Sequence, residues 1–508
     1  MRLSRKILSD IKKDNGIIIP DERIFNLPEK VLQFGTGVLL RGLPDYFIDK
    51  ANRQGIFNGR IVVVKSTSNG STNEFANQDN LYTLTIRGIE NGEITNETII
   101  HSCISRVLTA SNEWNKIIEC AANPEMEIII SNTTEVGITY TEDDIHDTPP
   151  KSFPGKLLAF LLARYTVTKG AKESGMVIVP TELIPDNGNK LKSILIDLAT
   201  YNNLDAQFVK WMLAANHFCN SLVDRIVPGK LAAADKIETE KMLGYTDDLL
   251  IMAEPFRLWA IESGNANVKK KMSFASVDEG VLIEPSIEKF RELKLRLLNG
   301  THTFSCGLAV LSGFHTVKEA MDDEGFASYI HSLMQNEIAP AIQSDAISKS
   351  DTRAFTGQVT DRFSNPYLEH QWMNITLQYS SKMKMRNVPI LAKHYMNTSK
   401  VPELMALGFS SFILFMNAVK NADGKYEGTH ERKYIIEDDN AGIFADAWKL
   451  QKIPKVVQCV LGNKSFWGID LSAFPGFSKA VEISLRSLME KNVLEILRNT
   501  SINKVDAL

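Results

Sequence analysis

The chain has 508 residues, of which 44% are hydrophobic, 23% charged and 8% aromatic. These are ordinary globular values that exclude wholesale disorder and fibrous repeats, and a chain of this length is expected to form two or three domains. Lys and Arg number 57 against 61 Asp and Glu, a net charge of −4, and with no basic half there is no electrostatic footprint for nucleic acid.

The N-terminus carries Arg2, Arg5 and Lys6 but continues into Asp10, Lys12, Lys13 and Asp14. No apolar segment follows the charges, so it does not read as a signal peptide. Val31-Leu32-Gln33-Phe34 predicts a short buried strand, leading through Gly35-Thr36-Gly37 into a helical stretch that includes Tyr46, Phe47 and Ile48. Ile61-Val62-Val63-Val64 predicts a second strand, Glu127-Ile128-Ile129-Ile130 a third and Met176-Val177-Ile178-Val179 a fourth. Continuous apolar runs separated by helical segments predict an α/β domain, its parallel sheet covered on both faces. Between the second and third runs, Leu81 to Gly88 alternates, Asn91-Gly92 follows, and Thr98-Ile99-Ile100 resumes. Asn-Gly between alternating runs predicts a hairpin, read here as an antiparallel insertion.

Beyond Pro285 helical periodicity takes over, with Ile287, Phe290, Leu293, Leu297 and Leu298 on one face. The expected domains are therefore 1–285 and a mainly α-helical 286–508. Met405 to Met416 is the most apolar stretch, too short to span a bilayer and broken by Gly408, Ser410 and Ser411. The cysteines, Cys103, Cys120, Cys219, Cys306 and Cys459, are scattered without a CxxC pair, which fits a reducing compartment. The expectation is a soluble cytoplasmic protein without membrane or nucleic-acid partners, a monomer or small homo-oligomer.

Several segments could carry chemistry. The turn Gly35-Thr36-Gly37 after the first strand lets a backbone approach a pyrophosphate at a helix start, although the third glycine of G-x-G-x-x-G is Leu40 here; a tight structural turn is the other reading. The second strand ends Lys65-Ser66-Thr67 without the acid that usually binds ribose hydroxyls. Lys65 suits a 2′-phosphate, hence NADP, or is a solvated loop charge. Lys294, Asn299 and His302 form a proton-transfer set: a desolvated lysine as general acid/base, an amide donor for an alkoxide, and an imidazole for a substrate hydroxyl. The Asn299-Gly300 pair predicts a weakening of the helix there. The bland alternative is a surface lysine, a capping asparagine and a satisfied histidine. Pro185-Asp186-Asn187-Gly188 is turn chemistry at a position where ligands bind in parallel sheets. Asp224 beside Arg225 suggests a partly buried charged pair, structural or substrate-binding. The nine histidines show no HxH, HxxxH or HExxH spacing, so no metal is expected.

Taken together, these segments resemble the mannitol dehydrogenase family of long-chain, polyol-specific dehydrogenases. Phe218 to Pro228 resembles the family signature around Val223-Asp224-Arg225-Ile226, and Lys294, Asn299 and His302 match its catalytic residues in type and order. Gln33 to Gly37, with Arg41 beyond, resembles its cofactor loop. Further resembling stretches begin at Asn80, Asn123, Ser131, Val179 and Arg362, so the resemblance runs through nearly the whole chain.

The resemblance implies a Rossmann-type N-terminal domain, a helical C-terminal domain and an active site between them. It implies metal-independent hydride transfer with NAD(H) to a small sugar-acid ketone. Lys294 would be the general acid/base, Asn187 and Asn299 would stabilise the alkoxide, and His302 would orient the substrate. Asp224 would contact sugar hydroxyls. Phe34, Gly35, Thr36, Gly37 and Val38, with Asn132, Thr133 and Glu135, would hold the cofactor. Arg362 and His370 are candidates for the substrate. Lys382 and Arg386 follow at helical spacing, which reads as a solvated basic face. Arg291 stands where the family has a glutamate, and a guanidinium there would suit a carboxylate. A non-catalytic nucleotide-binding module is the rival of another class, against which the complete proton-transfer set argues.

Overall fold

The apolar runs of the first half become six parallel strands: β1 (Glu29–Phe34), β2 (Arg60–Lys65), β3 (Ile104–Thr109), β4 (Ile128–Ser131), β5 (Val177–Pro180) and β6 (His217–Phe218). Their order in the sheet is β3-β2-β1-β4-β5-β6. This doubly wound order reverses between β1 and β4, and ligands bind outside the carboxyl ends of the strands at such a switch point. Each strand is apolar throughout because both faces are covered. Val31, Ile61, Val63, Ile128, Ile130 and Val177 enter one core cluster. The alternate residues Leu32, Phe34, Val62, Val64, Ile129 and Ile178 enter the other. The period-2 alternation is thus between two interiors rather than between interior and water.

The computed structural model describes residues 1–11, 16–67, 71–133, 136–430, 432–491 and 493–497. Two compact units divide the chain: Met1–Gly88 with Ile94–Ile287, and Ile89–Glu93 with Glu288–Leu508. The expected insertion is present as the hairpin Tyr82–Glu90 and Glu93–His101. Its turn residues Asn91 and Gly92 have φ of 55° and 81°, the doubly positive pair that a type I′ turn requires. Ile17–Ile18 and Ile251–Ala253 add parallel edges to this hairpin. A further three-stranded sheet, Ser221–Asp224, Leu258–Glu262 and Val281–Glu284, completes the first unit.

Strands β3 and β6, the two edges of the sheet, are not among the four predicted runs. In β3, Ile104-Ser-Arg-Val-Leu-Thr109, the edge position tolerates the polar residues that break an apolar run. The helix after the glycine turn is likewise two pieces, Val38–Gly42 and Pro44–Arg53. Pro44 opens the second, where its missing N–H costs nothing.

The second unit is mainly helical, with one small antiparallel sheet of Ala418–Lys420, Tyr426–Gly428 and Ile435–Ile436. The apolar stretch near Met405 is its central helix, Glu403–Phe415, buried at every position from Leu404 to Phe415. A helix apolar on all sides belongs inside a core. Among the described residues no helix is long and apolar enough to cross a membrane. The start of this helix is held by a buried carboxylate. The N–H groups of Leu404 and Met405 donate to Glu337 Oε1 and Oε2 at 2.9 and 2.7 Å. Glu337→Ala leaves both donors unsatisfied and is expected to cost roughly 1.5–3 kcal/mol, read as a lowered urea midpoint by a signal from the helical unit.

In the first unit Asp45 is fully buried, and among the described residues neither of its carboxylate oxygens has a well-formed hydrogen bond, although the Gln33 side chain lies beside them. Burial pushes its pKa up to about 8, against the opposing pull of Gln33 and Arg41. The folded pKa lies above that of the unfolded chain, so between the two values only the folded state keeps the proton. Stability therefore falls as pH rises from about 4 toward about 8, by about 1.4 kcal/mol per pH unit. Asp45→Asn is expected to flatten that decline and to raise stability at the alkaline end. Urea unfolding across that range checks it, and an unaltered slope contradicts it.

Candidate active site

At the switch point the ends of β1 and β4 come close. Gly35 N–H donates to Val64 O at 3.0 Å, and Asn132 N–H to Phe34 O at 3.0 Å. Gly35 has φ +135°, and a Cβ there would stand 2.8 Å from Leu40 Cδ1 and 3.0 Å from Asn132 O. Only glycine fits this approach. Gly37 faces open space, with nothing within 4 Å of a Cβ. The backbone from Phe34 to Val38 thus runs crowded on one side and open on the other, which suits the close approach of a diphosphate.

The wall beside it is ordered by one carboxylate. Glu182 accepts from Ser131 Oγ at 3.1 Å and from both Thr133 N and Thr133 Oγ1 at 2.9 Å. Burial raises the pKa of Glu182, against these bonds. Asn132 Nδ2 donates to Thr181 O and Oγ1 at 3.2 and 2.9 Å. Glu135, expected in this wall, lies outside the described residues. At the end of β2, Ser66 Oγ is buried without a partner among the described residues; it occupies the place where an acid usually meets ribose hydroxyls. Lys65 is buried, with Nζ donating to Thr67 O at 3.0 Å, so it is not a solvated loop charge.

Asn187 opens the helix Asn187–Tyr201 and is fully buried. Its Nδ2 donates to Pro180 O, Glu182 O and Ser221 O at 3.0–3.1 Å, while Oδ1 accepts Ser221 N–H. Here it is a hub tying β5 to the strand Ser221–Asp224, and an alkoxide would have to displace one of these carbonyls. Asp224 ends that strand, buried. Arg225 donates to Glu254 O at 2.9 Å and Gly42 O at 2.7 Å and lies 4.8 Å over the Tyr46 ring. Burial brings its pKa down to about 10.

The proton-transfer set lies in the second unit. The expected weakening at Asn299-Gly300 is not a helix end. Glu288–Leu293 widens into a π-helix over Lys294–Gly300 and continues as an α-helix over Thr301–Leu311. Gly300 answers a packing demand instead, since a Cβ would stand 2.9 Å from Ile390 Cδ1. A π-helix bonds residues five apart, so Lys294 and Asn299 stack on one face; in an α-helix they would diverge by about 140°. His302 follows three residues on, a neighbour of Asn299 on the helix surface.

Lys294 and Asn299 are half-buried and His302 is buried. The His302 ring stacks on Phe363 at 4.1 Å and meets His370 and Trp372 edge-on at 5.1 and 5.9 Å. Its Nε2 is buried with no partner among the described residues. Burial, then the charges of His370, Arg362, Arg386 and Lys382, hold its pKa well below the usual value. His302 is therefore a neutral imidazole with one unused ring nitrogen. Arg362 and His370, both expected near the substrate, are brought to this same histidine.

Lys382 and Arg386 correct the expectation of a solvated face. Both are half-buried, both are depressed by burial, and both act on His302. Helical spacing showed their side but not that the side faces inward. Arg291 instead pairs with Glu288 at 2.7 Å, within one turn of its own helix. Outside both sites, Asp49, His101 and Cys103 bring possible metal-ligand atoms within 4.8 Å of one another. However, Asp49 already takes Arg53 at 2.6 Å and Ser102 N–H at 2.9 Å, and the Cys103 thiol donates to Asp45 O at 3.5 Å. That cluster is satisfied largely by its own hydrogen bonds.

Residues 29–273 match the family model described as the mannitol dehydrogenase Rossmann domain, and 286–489 the mannitol dehydrogenase C-terminal domain. The altronate oxidoreductase of Bacillus subtilis (strain 168) is 35% identical over 481 residues, covering 94% of this chain and 96% of the relative. That of Bacteroides thetaiotaomicron is 33% identical over 472 residues, covering 93% and 96%. Among solved structures, Pseudomonas fluorescens mannitol 2-dehydrogenase, in a ternary complex with NAD and D-mannitol, shares the fold at 23% identity. Its TM-score is 0.66, with 98% of this chain and 99% of that one covered. A D-sorbitol dehydrogenase in substrate-free form, 19% identical, has a TM-score of 0.78 with 97% and 99% covered. With a strand order for dinucleotide binding, a Lys-Asn-His face and both halves matched, the chain belongs to the mannitol dehydrogenase family of oxidoreductases.

Proposed function

We propose that this enzyme reduces D-tagaturonate to D-altronate with NADH, a step of hexuronate catabolism. The observation that carries the reading is the π-helical face that stacks Lys294 and Asn299 and adds the neutral His302. Relatives called altronate oxidoreductase, 31–36% identical over most of the chain, support the choice of substrate. Phe34, Gly35, Thr36, Gly37 and Val38 would receive the diphosphate, with Asn132, Thr133 and Glu135 as the neighbouring wall. NAD is preferred over NADP because Lys65 is turned onto Thr67 O and Ser66 offers a hydroxyl to the ribose.

When bound, the reduced nicotinamide supplies hydride to the ketone carbon. As the carbonyl oxygen gains negative charge, the Asn299 amide donates to it, and Lys294 gives it a proton. Among the described residues the Asn299 amide has no competing partner. Asn187 is the second amide proposed for this oxygen, at the expense of one of its three carbonyl bonds. His302 Nε2 accepts from a substrate hydroxyl and fixes the sugar chain, while Asp224, Arg362 and His370 contact the remaining hydroxyls. None of these steps calls for a metal.

Lys294→Ala is expected to lower turnover roughly 100- to 10,000-fold while NADH still binds, measured by loss of absorbance of the reduced nicotinamide and by fluorescence titration. Near-native turnover in this variant removes the central assignment. Asn299→Ala should lose roughly 100- to 1000-fold. A panel of tagaturonate, fructuronate and fructose, each with NADH and NADPH, checks substrate and cofactor. Preference for fructuronate or fructose would mark a different reductase of the family. NADH binding without oxidation by any of them would mark a non-catalytic nucleotide-binding module.

A further inference from the structure

Among the described residues Arg386 pairs with no carboxylate. Among them its one side-chain hydrogen bond runs from Nη1 to Thr303 Oγ1 at 3.2 Å, and its buried Nε has no partner. A half-buried guanidinium left like this costs free energy unless something else completes it. Its neighbours do not. Lys382, one turn earlier, has its own bond to Ile375 O at 2.9 Å, and the nearby Cys306 is a thiol whose pKa burial pushes up to about 12.

The position of Arg386 is fixed with some care. It lies in a second π segment, Met383–Asn387. Arg296 Nη1 donates to Met385 O at 3.0 Å and Arg386 O at 2.8 Å. Arg296 is in turn gripped by Glu292, which also takes Lys393 at 2.6 Å. Arg386 therefore stands against Thr303, the residue next to His302, on a backbone anchored to the segment that carries Lys294 and Asn299. Its unused Nε and the unused His302 Nε2 belong to the same cluster of the helical unit.

We propose that Arg386 is the specificity-determining group that receives the carboxylate of the sugar acid. A guanidinium binds a carboxylate through two parallel N–H bonds, and its Nε edge is one of the two faces that can do so. The substrate's carboxylate lies at the opposite end of the carbon chain from its ketone, so one end meets Lys294 and Asn299 while the other meets Arg386. This rests on the reading of the substrate as a keto sugar acid. It assigns discrimination between acid and neutral ketose to Arg386 and assigns none between epimeric acids.

The test compares kcat/KM for tagaturonate, fructuronate and the neutral ketoses tagatose and fructose in the native enzyme, Arg386→Gln and Arg386→Lys. Thermal melts of the three proteins establish folding. Arg386→Gln is expected to lose roughly 100- to 1000-fold on the acid, mostly through KM. The loss on a neutral ketose should be at least ten times smaller, and Arg386→Lys should recover part of the acid activity. Equal losses on acid and neutral substrates, or no loss on the acid, overturn the proposal. If the native enzyme prefers fructuronate and Arg386→Gln still loses selectively on it, the assignment of Arg386 stands while tagaturonate as substrate falls. A native enzyme that reduces only neutral ketoses overturns both.

Discussion

The guanidinium of Arg296 is the contact on which the arrangement of the helical unit rests. It leaves one π segment and binds two consecutive carbonyls of the other, at Met385 and Arg386. Charge-assisted bonds of this kind are worth about 1.5–3 kcal/mol each, but their direction matters more here than their sum. Two carbonyls of the second π segment take Arg296 as a donor, and the two widened helices cannot slide past one another without losing it. Glu292 neutralises Arg296, and Lys393 helps to hold Glu292 ionised despite burial, which alone would raise its pKa. One chain of charges, from partly exposed Lys393 through Glu292 to buried Arg296, therefore ties the segment of Lys294 and Asn299 to that of Arg386.

The nucleotide half is built on a different constraint, the exclusion of side chains. Gly35 is demanded by the close passage of β1 and β4, where any Cβ would meet Leu40 and Asn132 O. Glu182 supplies the order that the glycine turn cannot, gathering Ser131 and Thr133 through three hydrogen bonds. Two physical devices thus serve the two units: bare backbone where a phosphate would approach, and a pinned ionic ladder where protons would move.

Much of this was legible in the residues. Strands β1, β2, β4 and β5 could be read because coverage on both faces writes an unbroken apolar run. The hairpin could be read because Asn91-Gly92 satisfies a backbone demand that few other pairs meet. Where reading failed, the deciding atoms came from elsewhere in the chain. Asn299-Gly300 has the same local chemistry as a helix end, yet its glycine answers to Ile390, some ninety residues away. Lys382 and Arg386 have the spacing of a wet face, and only the packing around them shows that they are partly buried. Asn187 sits where a ligand-binding loop was expected, but three backbone carbonyls converge on its amide, a number no sequence pattern displays.

The widened turn at Lys294–Gly300 also sets how this enzyme can evolve. A π segment is one residue more than an α-helix needs over the same path. Removing a single residue there would close the widened turn into an ordinary helix over the same path and re-space the positions within it. Substitutions at its outward positions leave that geometry alone, whereas insertions and deletions do not. A stretch of this kind accepts a repainting of its face, one side chain for another, and not a re-cutting of its length.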